Sequence, residues 1–166
     1  MTTITWKLPI LIDHQNFTCE WPARLRNKPG VYFFSRRYGS GSYEPFYIGK
    51  SVHMRTRLEQ YLCDPVKRSR RIRDALAGEE DAYSGIRVAN GPRYFHFGYV
   101  TPRSGQQVDK AIRRAEQALI QYAKILDWEV INIHHAGEAA LRGFDMSGTR
   151  YSRLLPKRLV THKRAN

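Results

Sequence analysis

Cysteine is scarce: Cys19 and Cys63 are the only two in 166 residues. They lie far apart and form no C-x-x-C pair, so their spacing indicates neither a disulfide framework nor a zinc finger, and a reducing cytoplasm is the expected setting. Long apolar runs are missing as well, and the longest is far too short to cross a bilayer. Residues 1–12 have no basic segment followed by an extended apolar core, so no secretory signal is expected. No stretch joins a broad apolar face to a basic rim, which ranks a membrane surface well behind other partners. Internal repeats and low-complexity segments are absent too. What the chain has is a 42% apolar share and a length that suits one domain, 1–166, around one core.

Acidic residues are also few. Asp plus Glu number 15 against 28 Lys plus Arg, a formal charge of +13. A small domain so charged attracts polyanions, nucleic acid first among them, although a merely soluble basic surface is the plain alternative. Arginine dominates the basic residues, which favours forked contacts to phosphate and bases over diffuse lysine charge. The charge is clustered. Lys67, Arg68, Arg70, Arg71 and Arg73 crowd one helix-like stretch, and Arg150, Arg153, Lys157 and Arg158 stand in a C-terminal segment without acids. Two clusters flanking one site would make a phosphate track.

Local patterns suggest the elements. Ile10 to Ile12 reads as a short strand with Pro9 at its start, where a missing N–H is tolerated. Pro22 to Arg26 reads as a turn or short helix. Lys28-Pro29-Gly30 is a turn that launches the strand Gly30 to Ser35, rich in β-branched and aromatic residues. Phe46 to Gly49 is the second strand of a hairpin with a longish Gly/Ser-rich loop. Ser51 is the expected N-cap of a helix to about Leu62, with Met54, Leu58, Tyr61 and Leu62 as its apolar stripe. Asp64-Pro65 opens a second helix that ends near Gly78. Glu79 to Pro92 is a loop, Arg93 to Thr101 a third strand, and Gln106 to about Asp127 the longest helix. Glu129 to His134 is extended, and Gly137 onward is loop plus basic tail.

Within this frame one constellation carries chemistry. Gly30-Val31-Tyr32 and Tyr47-Ile48-Gly49-Lys50 sit on the two hairpin strands. Arg57 follows Gly49 by eight residues, Glu116 lies inside the long helix beside its apolar face, and Asn132 comes after it. Taken singly, the tyrosines read as strand aromatics, Arg57 as a surface arginine and Glu116 as a solvated helix residue. Together, in this order, they resemble the GIY-YIG nuclease superfamily over roughly Pro29 to Asn132. The run YIGKSVHMRTRLEQY is similar to the corresponding run of excision-repair nucleases in that superfamily, including the aromatic four residues past the arginine. Val31 in place of isoleucine is a small departure.

The resemblance implies an α/β (α+β) fold: a small three-stranded antiparallel central sheet flanked by helices. The GIY-YIG-like core would be 29–132, decorated by an N-terminal segment, the basic helix and a basic C-terminal extension, 133–166. It implies that Tyr32, Tyr47, Arg57 and Glu116 converge on one face and hydrolyse a phosphodiester with one divalent metal, Mg2+ or Mn2+ in its place. Glu116 is then the metal ligand, a hard oxygen of the kind magnesium takes. Arg57 offers forked donors to the scissile phosphate. Tyr32 is the general-base candidate, helped by the cation of Lys50, and Tyr47 orients the water. Gly49 supports the strand, Asn132 fixes the loop after the helix, and His53 is a titratable group within reach of phosphate. His134-His135 makes a poor metal pair because neighbours in a strand face opposite ways. His96 reads as structural. The expected function is a free-standing DNA endonuclease, sequence-specific in the manner of restriction enzymes. A structure-selective repair nuclease and a non-catalytic nucleic-acid-binding module are the rivals, and RNA is the alternative target. Oligomeric state stays open, with a two-fold dimer the natural arrangement for cutting both strands of a palindrome.

Overall fold

A computed structural model describes residues 1–12, 20–37, 41–63, 70–77, 92–130, 144–148, 155–156 and 158–159. The expected hairpin is present and longer than its motifs. β3 (Gly30–Arg36) and β4 (Glu44–Ser51) pair antiparallel, with Tyr32 opposite Gly49 and Phe34 opposite Tyr47. β5 (Arg93–Thr101) pairs antiparallel with the other side of β3. β3 is therefore central and buried on both faces, which is why GVYFFS is apolar without alternation.

The sheet does not stop at three strands, and that expectation is corrected. Among the described residues it has seven, in the order β4-β3-β5-β1-β6-β7, with β2 also paired to β5. β1 (Thr2–Trp6) and β2 (Ile10–Ile12) share the far side of β5 antiparallel, β1 at one end and β2 at the other. β6 (Phe144–Gly148) runs parallel to β1, and β7 (Arg158–Leu159) closes the far edge antiparallel to β6. The sheet is thus mixed. The physical reason is that β5 would otherwise be a long apolar edge, open to pairing with other chains. The segments read as an N-terminal decoration and a basic tail cover it. Thr2, Ile4 and Trp6 alternate inward, and Phe144, Met146 and Leu155 join the core.

Helices cover both faces. α3 (Val108–Ile125) packs Ala111, Ile112, Ala115, Ala118 and Leu119 on Ile4, Val31, Phe33 and Ile48. α1 (Met54–Leu62) and α2 (Arg70–Ala77) cover the other face, where Met54, Leu58, Tyr61 and Leu76 meet Tyr32, Phe34, Phe95 and Phe97. Among the described residues no helix is long and apolar enough to cross a membrane.

The helix ends explain themselves locally. Ser51 is not the N-cap of α1: it ends β4, and its Oγ accepts the His53 N–H at 3.0 Å. His53 holds the cap position without a side-chain bond, and Asn27 reaches over to accept the Thr56 N–H at 2.9 Å. α3 stops where Asp127 turns left-handed, φ 53°. The Trp128 N–H then bonds the Ala123 carbonyl and the Asp127 N–H that of Lys124, a Schellman closure. Cys63, after α1, is held in a disulfide. Sequence distance does not prevent such pairing, so the inference of a reducing compartment loses its support. Cys19 lies outside the described residues.

Candidate active site

The register of the hairpin decides where each candidate side chain goes. Tyr32 faces α1 and is fully enclosed, 2% exposed. Its ring crosses the strand boundary and lies over Gly49, where a Cβ would sit 2.5 Å from the phenol's Cζ and Oη. Gly49 thus supplies the absent side chain that Tyr32 needs. Gly30 plays a like part at the hairpin's base, since a Cβ there would collide with the Gly98 carbonyl and stand 2.8 Å from the Met54 methyl.

Three tyrosines form a triangle on this face. Ring centroids are 6.4 Å apart for Tyr32–Tyr47, 6.2 Å for Tyr32–Tyr61 and 6.4 Å for Tyr47–Tyr61. The Tyr32 and Tyr61 hydroxyls share a hydrogen bond of 2.7 Å. Burial first, then the neighbouring phenols of Tyr61 and Tyr47, lift the Tyr32 hydroxyl well above its ordinary 10.0, against the lowering pull of the Arg57 guanidinium. A buried phenol so held is a poor general base. Tyr47, half-buried on the edge strand, is better placed to meet water. Tyr61 is the residue missed as a site member. Its signal was present, because a tyrosine four residues beyond Arg57 lies on the same side of the helix.

Arg57 sits half-buried on α1. Its Nε is buried and has no hydrogen-bond partner among the described residues. Lys50 and Glu116 lie on the other side. Lys50 follows Gly49 in the strand, so its side chain points to the α3 face, where its Nζ stands 2.8 Å from the Glu116 Oε2. The Glu116 side chain is 17% exposed and that of Lys50 36%. The expected convergence on a single face is therefore corrected. The tyrosines and Arg57 occupy one face of β4, Lys50 and Glu116 the other, because consecutive strand residues alternate. Both sets border the same strand, and β4 is the outer strand of the sheet.

The remaining candidates divide. His53 is exposed at the start of α1. Arg70 and Arg71 begin α2, Arg73 is half-buried within it, and Arg158 lies in β7 opposite Asp145. Lys67, Arg68, Asn132, His134, His135, Arg150, Arg153 and Lys157 lie outside the described residues. His96 is fully buried in β5, stacked on Phe33 at 4.2 Å and bonded to the Ser35 hydroxyl, and burial pushes its pKa well below 6.5. Its neutral ring is a packing element.

The raised Tyr32 pKa has a direct consequence for stability. The native state keeps this proton where the unfolded chain has lost it, so the contribution is complete below about pH 10 and fades as pH rises further. Tyr32→Phe is expected to flatten that alkaline decline in denaturant melts between pH 9 and 11, leaving the share of Tyr99, whose pKa burial also raises. Equal alkaline slopes for the two proteins would refute this placement of Tyr32.

No family model, curated protein or solved structure matches the chain.

Proposed function

We propose that this chain is a metal-dependent endonuclease that hydrolyses DNA phosphodiester bonds at a GIY-YIG-type site. The observation that carries the reading is the gathering of Tyr32, Tyr47, Arg57, Lys50 and Glu116 around the outer strand β4 from four separate elements. The net charge of +13 fits a polyanionic substrate.

The roles follow from position. Arg57, half-buried on α1, presents guanidinium donors suited to a phosphate. Tyr47 orients the attacking water and accepts its hydrogen bond. Tyr32 and Tyr61, locked to each other, form the wall that fixes Tyr47 and Arg57. Lys50 holds the Glu116 carboxylate in place on the α3 side of β4. Among the described residues no group of three or more acids, histidines or cysteines gathers to hold a metal ion. One carboxylate suits magnesium, which keeps several waters and binds through one or two carboxylates plus substrate phosphate, so Glu116 would hold it. Bound there, such an ion supplies charge stabilisation to the leaving oxygen. The sequence-specific form of the proposal is tested by digesting a plasmid with magnesium and sequencing the ends. Cuts at one recurrent sequence are expected. Cuts at unrelated positions would remove the restriction-like part, and no cleavage of either plain or branched DNA would remove the nuclease.

A further inference from the structure

The outward face of α3 was in neither basic cluster read from the sequence. At about 100° per residue, Arg113, Lys124, Gln117, Lys110, Gln121 and Arg114 fall within an arc of about 100°, opposite the alanine-rich face on the sheet. Lys110, Arg113 and Lys124 are exposed and Arg114 half-buried. The arc holds four cations, and the nearest exposed acid, Asp109, lies about 40° outside it in the first turn of the helix. Among the described residues the ion pairs are Arg36–Glu44, Lys50–Glu116 and Arg55–Glu59, and none includes these four. Lys110 stands three and four residues before Arg113 and Arg114, spacings at which like charges cost helix stability rather than add to it.

We infer that this face is a docking track for the phosphate backbone of duplex DNA. From Lys110 to Lys124 it runs about 21 Å at 1.5 Å per residue, the length of about six phosphates along one strand. Gln117, between the cations, adds an uncharged donor to phosphate oxygens. Glu116 lies about 60° beyond Arg113 around the same helix, so a backbone seated on the track passes the Lys50–Glu116 pair. An anionic bilayer fits less well, because a helix that binds a membrane surface inserts an apolar face and the apolar face of α3 is buried on the sheet.

The track rests on the nucleic-acid half of the proposed function and not on hydrolysis. The experiment therefore measures equilibrium binding to a plain DNA duplex without divalent metal, against salt. It compares wild type with K110Q/R113Q/R114Q and with a control of equal charge loss on the opposite layer, R26Q/K28Q/R55Q. Circular dichroism confirms that each variant is folded. The α3 variant is expected to lose more than tenfold in affinity at 50 mM salt. Its log–log salt slope should be shallower by about 2.7, so that it loses about 40-fold less than wild type between 50 and 200 mM. Three results would overturn the track: unchanged slope and affinity, an equal loss in the control, or weakened binding to anionic vesicles with duplex binding intact. A wild type that binds duplex through this face and never cuts would sink the nuclease and leave the track standing.

Discussion

Glu116→Gln is expected to reduce magnesium-dependent cleavage by about a thousandfold, which corresponds to about 4 kcal/mol of transition-state stabilisation. The substitution keeps the shape of a side chain that is 17% exposed beside the α3 core, so packing survives. What goes is the negative charge that would hold a divalent ion. Lys50 loses its partner as well, but at 36% exposure its ammonium can turn to water. Folding stability should therefore change little, as for most partly exposed ion pairs. Duplex binding should hold or tighten, since the change makes a net charge of +13 more positive by one. Lys50→Met separates the two contributions. If the ion pair alone mattered, both variants would lose cleavage equally. If the carboxylate is the metal ligand, Glu116→Gln is the more severe, and excess magnesium partly restores Lys50→Met only. Full cleavage by Glu116→Gln would remove this residue from the chemistry.

The parts of the fold that could be read in advance are those whose information is local. GVYFFS and FYIG mark β3 and β4 by composition, the Met54–Leu58–Tyr61 stripe marks α1, and RYFHFGYVT marks β5 to the residue. β1 and β6 are different. Phe144-Asp145-Met146-Ser147-Gly148 contains two residues that strands seldom favour, Asp145 and Gly148, and its partner Thr2–Trp6 lies some 140 residues away in sequence. Only the open edge of β5 and the inward set Ile4, Trp6, Phe144 and Met146 make that pairing worthwhile, and no local pattern encodes it.

The candidate set could be assembled from the sequence, but its geometry could not. Tyr32, Tyr47, Arg57, Lys50 and Glu116 were named because their order and spacing resemble a nuclease superfamily. Their division between two faces depends on register, with Tyr32 against Gly49 and Phe34 against Tyr47 before a shift at Phe34/Ser35. A seven-residue loop, 37–43, does not fix that register by turn type as a two-residue turn would. Once it is known, alternation sends Gly49 toward α1 and Lys50 toward α3. The same fact explains why Tyr32, expected to be the base, is instead a buried wall with a raised pKa.

Gly49→Ala pits two magnitudes of opposite sign against each other. Gly49 does not need a left-handed backbone, because positive φ among the described glycines is confined to Gly105 and Gly148. Propensity alone would then have alanine stabilise the strand by about 0.5–1 kcal/mol. Packing says otherwise. The new methyl would stand 2.5 Å from Tyr32 Cζ and Oη and 2.9 Å from Cε2. That ring has no free direction: it is bonded to Tyr61 at 2.7 Å and enclosed by Phe95 at 5.3 Å and Phe34 at 5.8 Å. Overpacking of this kind costs about 1–3 kcal/mol, and breaking the Tyr32–Tyr61 bond adds about 1 more. The clash wins, and a net loss of about 2–3 kcal/mol is expected, a fall in Tm of about 4–12 °C for a chain of this size. Cleavage should fall with it even below the melting range, since displacing Tyr32 shifts Tyr47 and Arg57. A double-mutant cycle isolates the cause. In a Tyr32→Ala background the methyl has room, so Gly49→Ala should there be neutral or stabilising, with a coupling of more than about 1 kcal/mol. An alanine that costs the same in both backgrounds would mean that Gly49 answers to some neighbour other than Tyr32.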